Sequence, residues 1–443
     1  MRKGLAIMCG LGILVLAASP LYAGGIINKN NQSADYMRTL NRSAATDYPD
    51  IAVYNPAGIM KMENGAYAKL DVLYFSKDYS NTVPGFGELS SDKPSVIPEA
   101  FAIYKRDRWA GFFAFTIPAG GGELDYEDGD ARTVALSQGV AAQANALLGA
   151  NGVPSTFYYN QIDAMNLKVK QSTVLGFTFG GSFALNEMWS FSAGARYSTG
   201  TREFDGSATI SAANPAPSPP FPPGLNAPLV PSLDLEEDAN GWAGILGVNF
   251  AWKDLNAAVT FISNTKMDYK MDVKRDTLGI APDLGFADGS TRRIDIPGQL
   301  GFGVSYKFLP QLKVDLNYVL YLEKSATIDT YSGEGNSWDL GLTAEYIFSP
   351  KWKASLGYLY TDIKIDNDQQ INEPEEPKLS ANSLGGGFVF SPTPAWNITF
   401  GGAYIWYKSV TGVSQDPLQL FGVPVEYDKK VWNLSAGVTW KFF

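Results

Sequence analysis

Histidine is absent from the 443 residues, and the one cysteine is Cys9. A Ser-His-Asp or Cys-His nucleophile therefore cannot be assembled, and neither can a His-ligated metal, a Cys-rich zinc site or a disulfide framework. No enzyme chemistry, metal or cofactor is expected. The chemistry that remains belongs to carboxylates, lysines and arginines. Lys168, Lys170, Arg196, Lys266 and Arg293 fall by alternation on the polar faces of their segments. A cation held away from water can grip an anionic headgroup through charge-assisted hydrogen bonds. The other reading pairs each of them with carboxylates such as Asp71, Asp295, Asp315 and Glu345. The run Asp366, Asp368, Glu373, Glu375 and Glu376 offers oxygen ligands for calcium or for cation-bridged phosphate. It is read as a solvated, mutually repelling loop. With a formal charge of −10, nucleic acid is not an expected partner.

These side chains are carried on segments that alternate. From Leu312 to Leu322, Val314, Leu316, Tyr318 and Leu320 share one face, while Lys313, Asp315 and Asn317 share the other. The same two-residue rhythm runs through Trp338–Phe348 and Trp432–Phe442, and through 292–308, where Ile294 and Ile296 are placed on the apolar face. Successive side chains of a strand point to opposite sides, so each segment has an apolar and a polar face. The segments are long, their apolar faces begin or end in aromatics (Trp189, Trp252, Trp338, Trp352, Trp406, Trp432), and tight turns alternate with long polar loops. Together these features favour a transmembrane barrel over a soluble sandwich. Fourteen strands are predicted, at 66–80, 96–106, 109–118, 163–183, 189–210, 234–252, 255–274, 292–308, 312–324, 337–348, 352–365, 380–390, 397–409 and 430–443. The last of these closes on an aromatic end at Phe442 and Phe443.

Ahead of the strands, Arg2 and Lys3 precede an apolar run from Gly4 to Ala18, too short for the ~20 residues of a membrane helix. Residues 1–23 read as a secretory signal with cleavage after Ala23. Residues 24–64 are polar and do not alternate, and residues 65–443 form the barrel. The 24–64 stretch is either a disordered arm or a filling for a lumen too wide for its own wall side chains to close. In the loop 119–162, Leu136, Val140, Ala144, Leu147 and Leu148 recur at helical spacing. They make either an apolar landing surface or a helix packed on neighbouring loops. Eight prolines between 215 and 231 make the next long loop stiff, with shielding its expected role. Pro118, followed by Gly120 and Gly121, breaks the third strand or ends it, since proline lacks the ladder N–H and glycine favours bulges.

The element Asn55-Pro56-Ala57-Gly58, just ahead of the first strand, resembles the N-terminal hatch of the FadL-type family of long-chain fatty-acid and aromatic-hydrocarbon transporters. The Gly24-Gly25 start after the signal, Ala44-Ala45-Thr46-Asp47, and the Trp440-Lys441-Phe442-Phe443 end are similar too. Family hatches are richer in Gly and Ala where this chain has Tyr36 to Arg42, a departure that touches the substrate rather than the fold. The resemblance implies a hatch-plugged barrel in the bacterial outer membrane, inserted by the barrel-assembly machinery and surrounded by lipid and lipopolysaccharide. It implies passive uptake of a hydrophobic small molecule, caught by external loops near Leu136, Val140 and Leu147. Release would follow a hatch rearrangement, sideways through the wall at a kink near Pro118. Two alternatives stand beside fatty acids: an aromatic-hydrocarbon transporter of the same fold, and a general diffusion porin.

Overall fold

In the computed structural model the chain forms a closed fourteen-stranded antiparallel barrel around an N-terminal plug. The structure describes residues 33–443 except 121, 172, 219, 222, 280, 283–284, 329–334, 366–369, 372 and 415–423. The signal-like segment, Cys9, Gly24, Gly25, Gly121, Pro219, Pro222, Asp366 and Asp368 lie outside the described residues.

The wall strands are β1 (Gly65–Val83), β2 (Ser95–Arg106), β3 (Trp109–Ala119, resuming as Gly122–Tyr126) and β4 (Gln161–Gln171 and Val174–Ala184). They continue with β5 (Trp189–Ser211), β6 (Ser232–Trp252), β7 (Leu255–Ile262 and Asp268–Asp276) and β8 (Thr291–Arg293 and Gln299–Leu309). The circuit is completed by β9 (Leu312–Tyr321), β10 (Trp338–Ser349), β11 (Trp352–Asp362), β12 (Ala381–Thr393), β13 (Trp396–Tyr407) and β14 (Val425–Lys441). It closes where β1 pairs with β14 from Tyr67↔Lys441 to Thr82↔Glu426. This pairing leaves neither β1 nor β14 with an open edge along its length.

Sidedness follows from the pleat. Burial alternates strictly along most of β14, with Leu434 and Val438 outward and Asn433, Ser435 and Thr439 inward. Leu246, Leu342 and Leu356 stand on the outer surface, while Asn249, Thr343 and Thr399 are buried within. Exposed aliphatics in a continuous outer band suit lipid rather than water. Aromatics border it at the short-turn end, where Trp396 and Trp440 stack at 5.2 Å, and again toward the loops at Tyr404, Trp406 and Trp432. No helix among the described residues is long and apolar enough to cross a membrane.

β7 and β8 depart from uninterrupted alternation, and the departures reassign residues. β7 leaves the ladder between Ile262 and Asp268, with only Thr265 bridging to Ile296. This resets the parity, so Thr265 and Met267 point inward and Lys266 is exposed. Opposite it, Ile294 to Pro297 are all buried, so Ile294 and Ile296 belong to an internal apolar cluster and not to the lipid face.

The plug consists of helix α1 (Ala34–Thr39), helix α2 (Ile51–Tyr54) and a 3-10 turn (Pro56–Lys61). Ser33 caps α1 by accepting from the Tyr36 N–H, and Leu40 ends it in the left-handed region at φ 53°. The long external loop forms helix α3 (Ala131–Ala150), whose N-cap Asp130 accepts from the Thr133 N–H.

Candidate functional site

The Asn-Pro-Ala-Gly element is explained residue by residue. The Asn55 side chain accepts from the Gly58 N–H at 3.2 Å and donates to Ala45 O (2.9 Å) and Asn249 Oδ1 (2.8 Å). Pro56 opens the 3-10 turn, where no N–H is needed. The carbonyls of Pro56 and Ala57 accept from Ser182 Oγ (2.6 Å) and Ser190 Oγ (2.8 Å) of the wall. A Cβ on Gly58 would sit 2.3 Å from Asn55 Nδ2 and 2.8 Å from Ala45 O, so only glycine fits. The wall makes matching room for α1: Cβ atoms on Gly385 or Gly401 would fall 2.8 Å from Met37 O or 2.9 Å from Ala34 O.

The described hatch charges meet partners on the hatch or on the wall. Arg38 pairs with Asp35 (2.7 Å) and with Glu345 of β10. Arg42 pairs with Asp47 and Asp50, both at 2.7 Å, and Asp47 also meets Lys353 of β11 at 3.2 Å. Lys69 of β1 bridges Asp35 (3.1 Å) and Asp71 (2.5 Å). Burial pushes the Asp35 carboxyl up, but the cations of Lys69, Arg38 and Arg42 outweigh it and bring it down to about 2. Asp47 is half-buried; against the cost of that burial, Arg42 and Lys353 hold it well below the usual carboxylate range. Asp50 is raised, by burial first and then by the charge of Asp35, against the pull of Arg42.

The third strand changes character at its loop-side end. β3 alternates from Trp109 to Phe115, and then Thr116, Ile117, Pro118 and Ala119 are all buried. Its register with β4 shifts between Thr116 and Ala119. On its other side, the β2–β3 pairing ends at Ala100↔Phe115, so Ser95 to Glu99 of β2 pair only with β1. Pro118 stays within the strand and packs toward Gly176, and Gly120 follows at φ 67°, where a side chain would be strained.

The five sequence-derived cations do not stand together. Lys168 and Lys170 are exposed and meet Asp125 (3.6 Å) and Glu203 (2.6 Å), because Leu167 and Val169 take the inward positions. Lys266 is exposed through the parity reset in β7. Arg293 is clamped by Asp295 at 2.8 Å. Arg196 differs from all four. It is 3% exposed, and among the described residues its one hydrogen bond is a long 3.5 Å contact to Thr265 Oγ1, its Nε has no partner, and no carboxylate pairs with it. It lies beside the kink, since a Cβ on Gly176 would touch both Pro118 Cδ (2.8 Å) and Arg196 Cδ (3.4 Å). The apolar cluster of Ala119, Val174, Met267 and Ile296 surrounds this corner.

A groove with about 520 Å³ of empty space, partly open to solvent, runs between α3 and the loop-side ends of β5 and β6. Leu136, Val140, Phe204, Leu233 and Leu278 line it. Leu147 does not: it is exposed on another side of α3, while Leu148 packs inward. The proline-rich loop covers the rest of the helix through Phe221, Leu225 and Leu229. From the groove, one apolar cluster continues through Leu124, Tyr126, Leu167 and Val169 to Ile117 and Phe101, and on to Tyr36 and Tyr54 of the hatch.

The described part of the acidic loop, Glu373 to Glu376, is not the solvated, repelling segment expected. Glu373 and Glu375 are buried, because cations meet them: Lys378 at 3.1 Å and Arg132 of α3 at 3.3 Å. Tyr126 Oη donates to Glu375 O at 2.7 Å, and Lys429 Nζ donates to Pro377 O at 3.1 Å. Nothing in the sequence rhythm marks this inward strap. Its partners are distant in the chain, and only the closed barrel gathers them. Among the described residues no cluster of three or more acidic side chains is arranged to hold a metal ion.

The architecture defines a fold class: a closed fourteen-stranded barrel with an N-terminal plug, similar to FadL-type barrels. Among solved structures, a FadL homologue of Pseudomonas aeruginosa is similar at TM-score 0.65 and 16% identity, over 95% of this chain and 100% of that one. The Ralstonia pickettii toluene transporter TbuX is similar at TM-score 0.57 and 15% identity, covering 96% and 99%. The Pseudomonas putida toluene transporter TodX follows at TM-score 0.56 and 12% identity, covering 95% and 100%. A family model described as a putative MetA-pathway of phenol degradation matches residues 298–415. No curated protein sequence matches the chain.

Proposed function

We propose that this protein carries hydrophobic compounds passively across the bacterial outer membrane, with long-chain fatty acids as the leading substrate class. The observation that carries the reading is the single apolar cluster from the external groove to the hatch and the kinked strand. A general porin needs a polar, open lumen; here the lumen-side route is apolar and filled, and a charged plug sits beneath it. The molecule is caught at the Leu136 and Val140 groove and moves along the apolar cluster to the corner of Arg196. There a guanidinium that no described carboxylate pairs, beside apolar side chains, suits an anionic head with a hydrocarbon tail. Residues 33–62 shift, and the tail leaves between β2 and β3, where the ladder is missing. Residues 1–23 direct export, and the assembly machinery inserts the barrel among lipid and lipopolysaccharide. No catalytic step is part of this route.

Aromatic hydrocarbons are the second reading, favoured by the likeness to two toluene transporters and by the matched phenol-degradation model. Native mass spectrometry of gently extracted protein tests the choice. A co-purifying fatty acid that is lost from Arg196→Gln supports the leading reading, and a bound neutral aromatic that survives that change supports the second. A large steady ion current in single-channel recordings would overturn both in favour of a porin.

A further inference from the structure

We propose that the strap at 373–379 is a second closure of the bore. It shuts the apolar middle off from external water, so that hydrophobic molecules enter from the side and a shift of the hatch opens no aqueous path. Entry through the α3 groove is taken from the uptake reading above; the seal itself is independent of it. The strap lies just ahead of β12, and inward side chains of three wall strands fasten its backbone. Asn81 of β1 donates to Pro374 O (3.0 Å), Tyr126 of β3 to Glu375 O (2.7 Å) and Lys429 of β14 to Pro377 O (3.1 Å). A segment run through an interior needs such partners for its carbonyls, whereas a surface loop is served by water. The strap side chains are fastened as well. Glu375 meets Arg132 of α3 at 3.3 Å, Lys378 bridges Glu373 and Glu376, and Leu379 joins an apolar cluster with Val83, Val134 and Tyr427. Glu373 comes under the charge of Arg202 on β5, seven strands from β12 in a circuit of fourteen. The strap therefore reaches towards the far wall instead of following the rim where it starts.

The bore is layered. At the hatch, the Ala34 N–H donates to Asp71 of β1 at 3.1 Å. At the strap, the same strand presents Asn81, ten residues and about 33 Å further along. Between these levels β1 turns Leu73 and Phe75 inward, and Phe101, Ala403 and Val431 belong to the same apolar cluster. Polar, charge-locked layers thus bound an apolar layer at both ends. An ion entering that layer would give up its hydration for side chains that replace none of it. A hydrocarbon pays no such penalty and has the groove of Leu136 and Val140 as its way in. Arg132, which holds Glu375, lies one turn before Leu136, so the groove and the closure share α3. Hatch and strap use different wall anchors: Lys69, Glu345 and Lys353 for the hatch, Asn81, Tyr126 and Lys429 for the strap. Loosening one leaves the other in place.

The test places a reporter in the apolar layer with Ala403→Cys. Ala403 is 7% exposed and lies two residues towards the loops from Gly401, against which α1 packs. The one native cysteine, Cys9, falls in the expected signal. A sulfonated, membrane-impermeant maleimide is added outside intact cells that produce the full chain, and labelling at position 403 is followed by mass shift. Labelling should be slow with the strap intact. It should rise roughly tenfold when Arg132→Met and Tyr126→Phe together remove a buried ion pair and a hydrogen bond that hold the closed state. Glu375→Gln serves if that double variant does not assemble, since it keeps the carbonyl that Tyr126 grips and loses only the charge that Arg132 meets. Fast labelling with the strap intact overturns the proposal. So does an unchanged rate in a variant whose gel mobility stays heat-modifiable and whose 373–379 segment is cleaved faster by protease. The assay involves no hydrophobe, so its failure leaves the uptake reading standing, and a failure to find a bound hydrophobe by native mass spectrometry leaves the seal standing.

Discussion

At the scale of single residues, the hatch is held by groups that tolerate little change. Gly58 has no room for a methyl group beside Asn55 and Ala45. Gly58→Ala should cost about 1–3 kcal/mol, typical of overpacking, and should appear as faster protease cleavage within residues 33–62 while the barrel stays heat-modifiable. Arg38 is fully buried between Asp35 and Glu345. Arg38→Met takes one cation from each of two buried carboxylates, which keep Lys69 and Lys353, and should cost less than the about 3–5 kcal/mol of a fully broken buried pair, read as a lowered thermal midpoint. Arg196 shows how far sequence carries at this scale. Alternation placed it inward together with four other cations, but pairing and strand parity removed those four, and neither is visible without partners in space.

At the scale of elements, the plug responds to acid. Asp35 is brought to about 2 and Asp47 is also held low, so both contribute stability above their unfolded value near 4. That contribution is lost as pH falls from about 4 towards 2. Asp50, being raised, acts in the opposite sense and favours docking below about pH 4. With two groups against one, hatch docking should weaken on acidification below about pH 4. A cysteine placed at Ala52, buried within the plug, should then become reactive to a thiol probe that labels at low pH. Unchanged protection down to pH 2 would contradict this. The strap is an element of the same kind. Arg132→Met should leave the Glu375 carboxylate buried without its cation, and should speed proteolysis around 373–379 without altering the barrel. The sequence suggested the groove helix and the kink because composition marks them: an apolar helical spacing in one case, Pro118 and its glycines in the other. The strap carries acidic residues, which read as solvent-facing until Lys378, Lys429 and Arg132 are brought alongside.

At the scale of the whole molecule, lipid outside and a filled lumen inside set opposite tolerances on alternate residues. Leu342→Arg, on the outer face of β10, should destabilise the barrel by about 2–4 kcal/mol in denaturant titrations in lipid vesicles. Thr343→Ser, one residue along and inward, preserves the hydroxyl that donates to Thr39 O and should be nearly silent. Equal costs at the two positions would refute the assigned sidedness. The barrel itself was legible from the chain because the two-residue period is a local property: each strand needs only its own residues to declare a lipid face and a lumen face. The strand count, the tight turns and the hatch motif belong with it. Other features were decided by tertiary structure. These are the strand interruptions that turned Lys266 out and Ile294 in, the glycines that admit α1, the inward strap, and the burial of Arg196 away from any described carboxylate. Each depends on which distant residue arrives opposite, and a barrel fixes that only when its last strand pairs with its first.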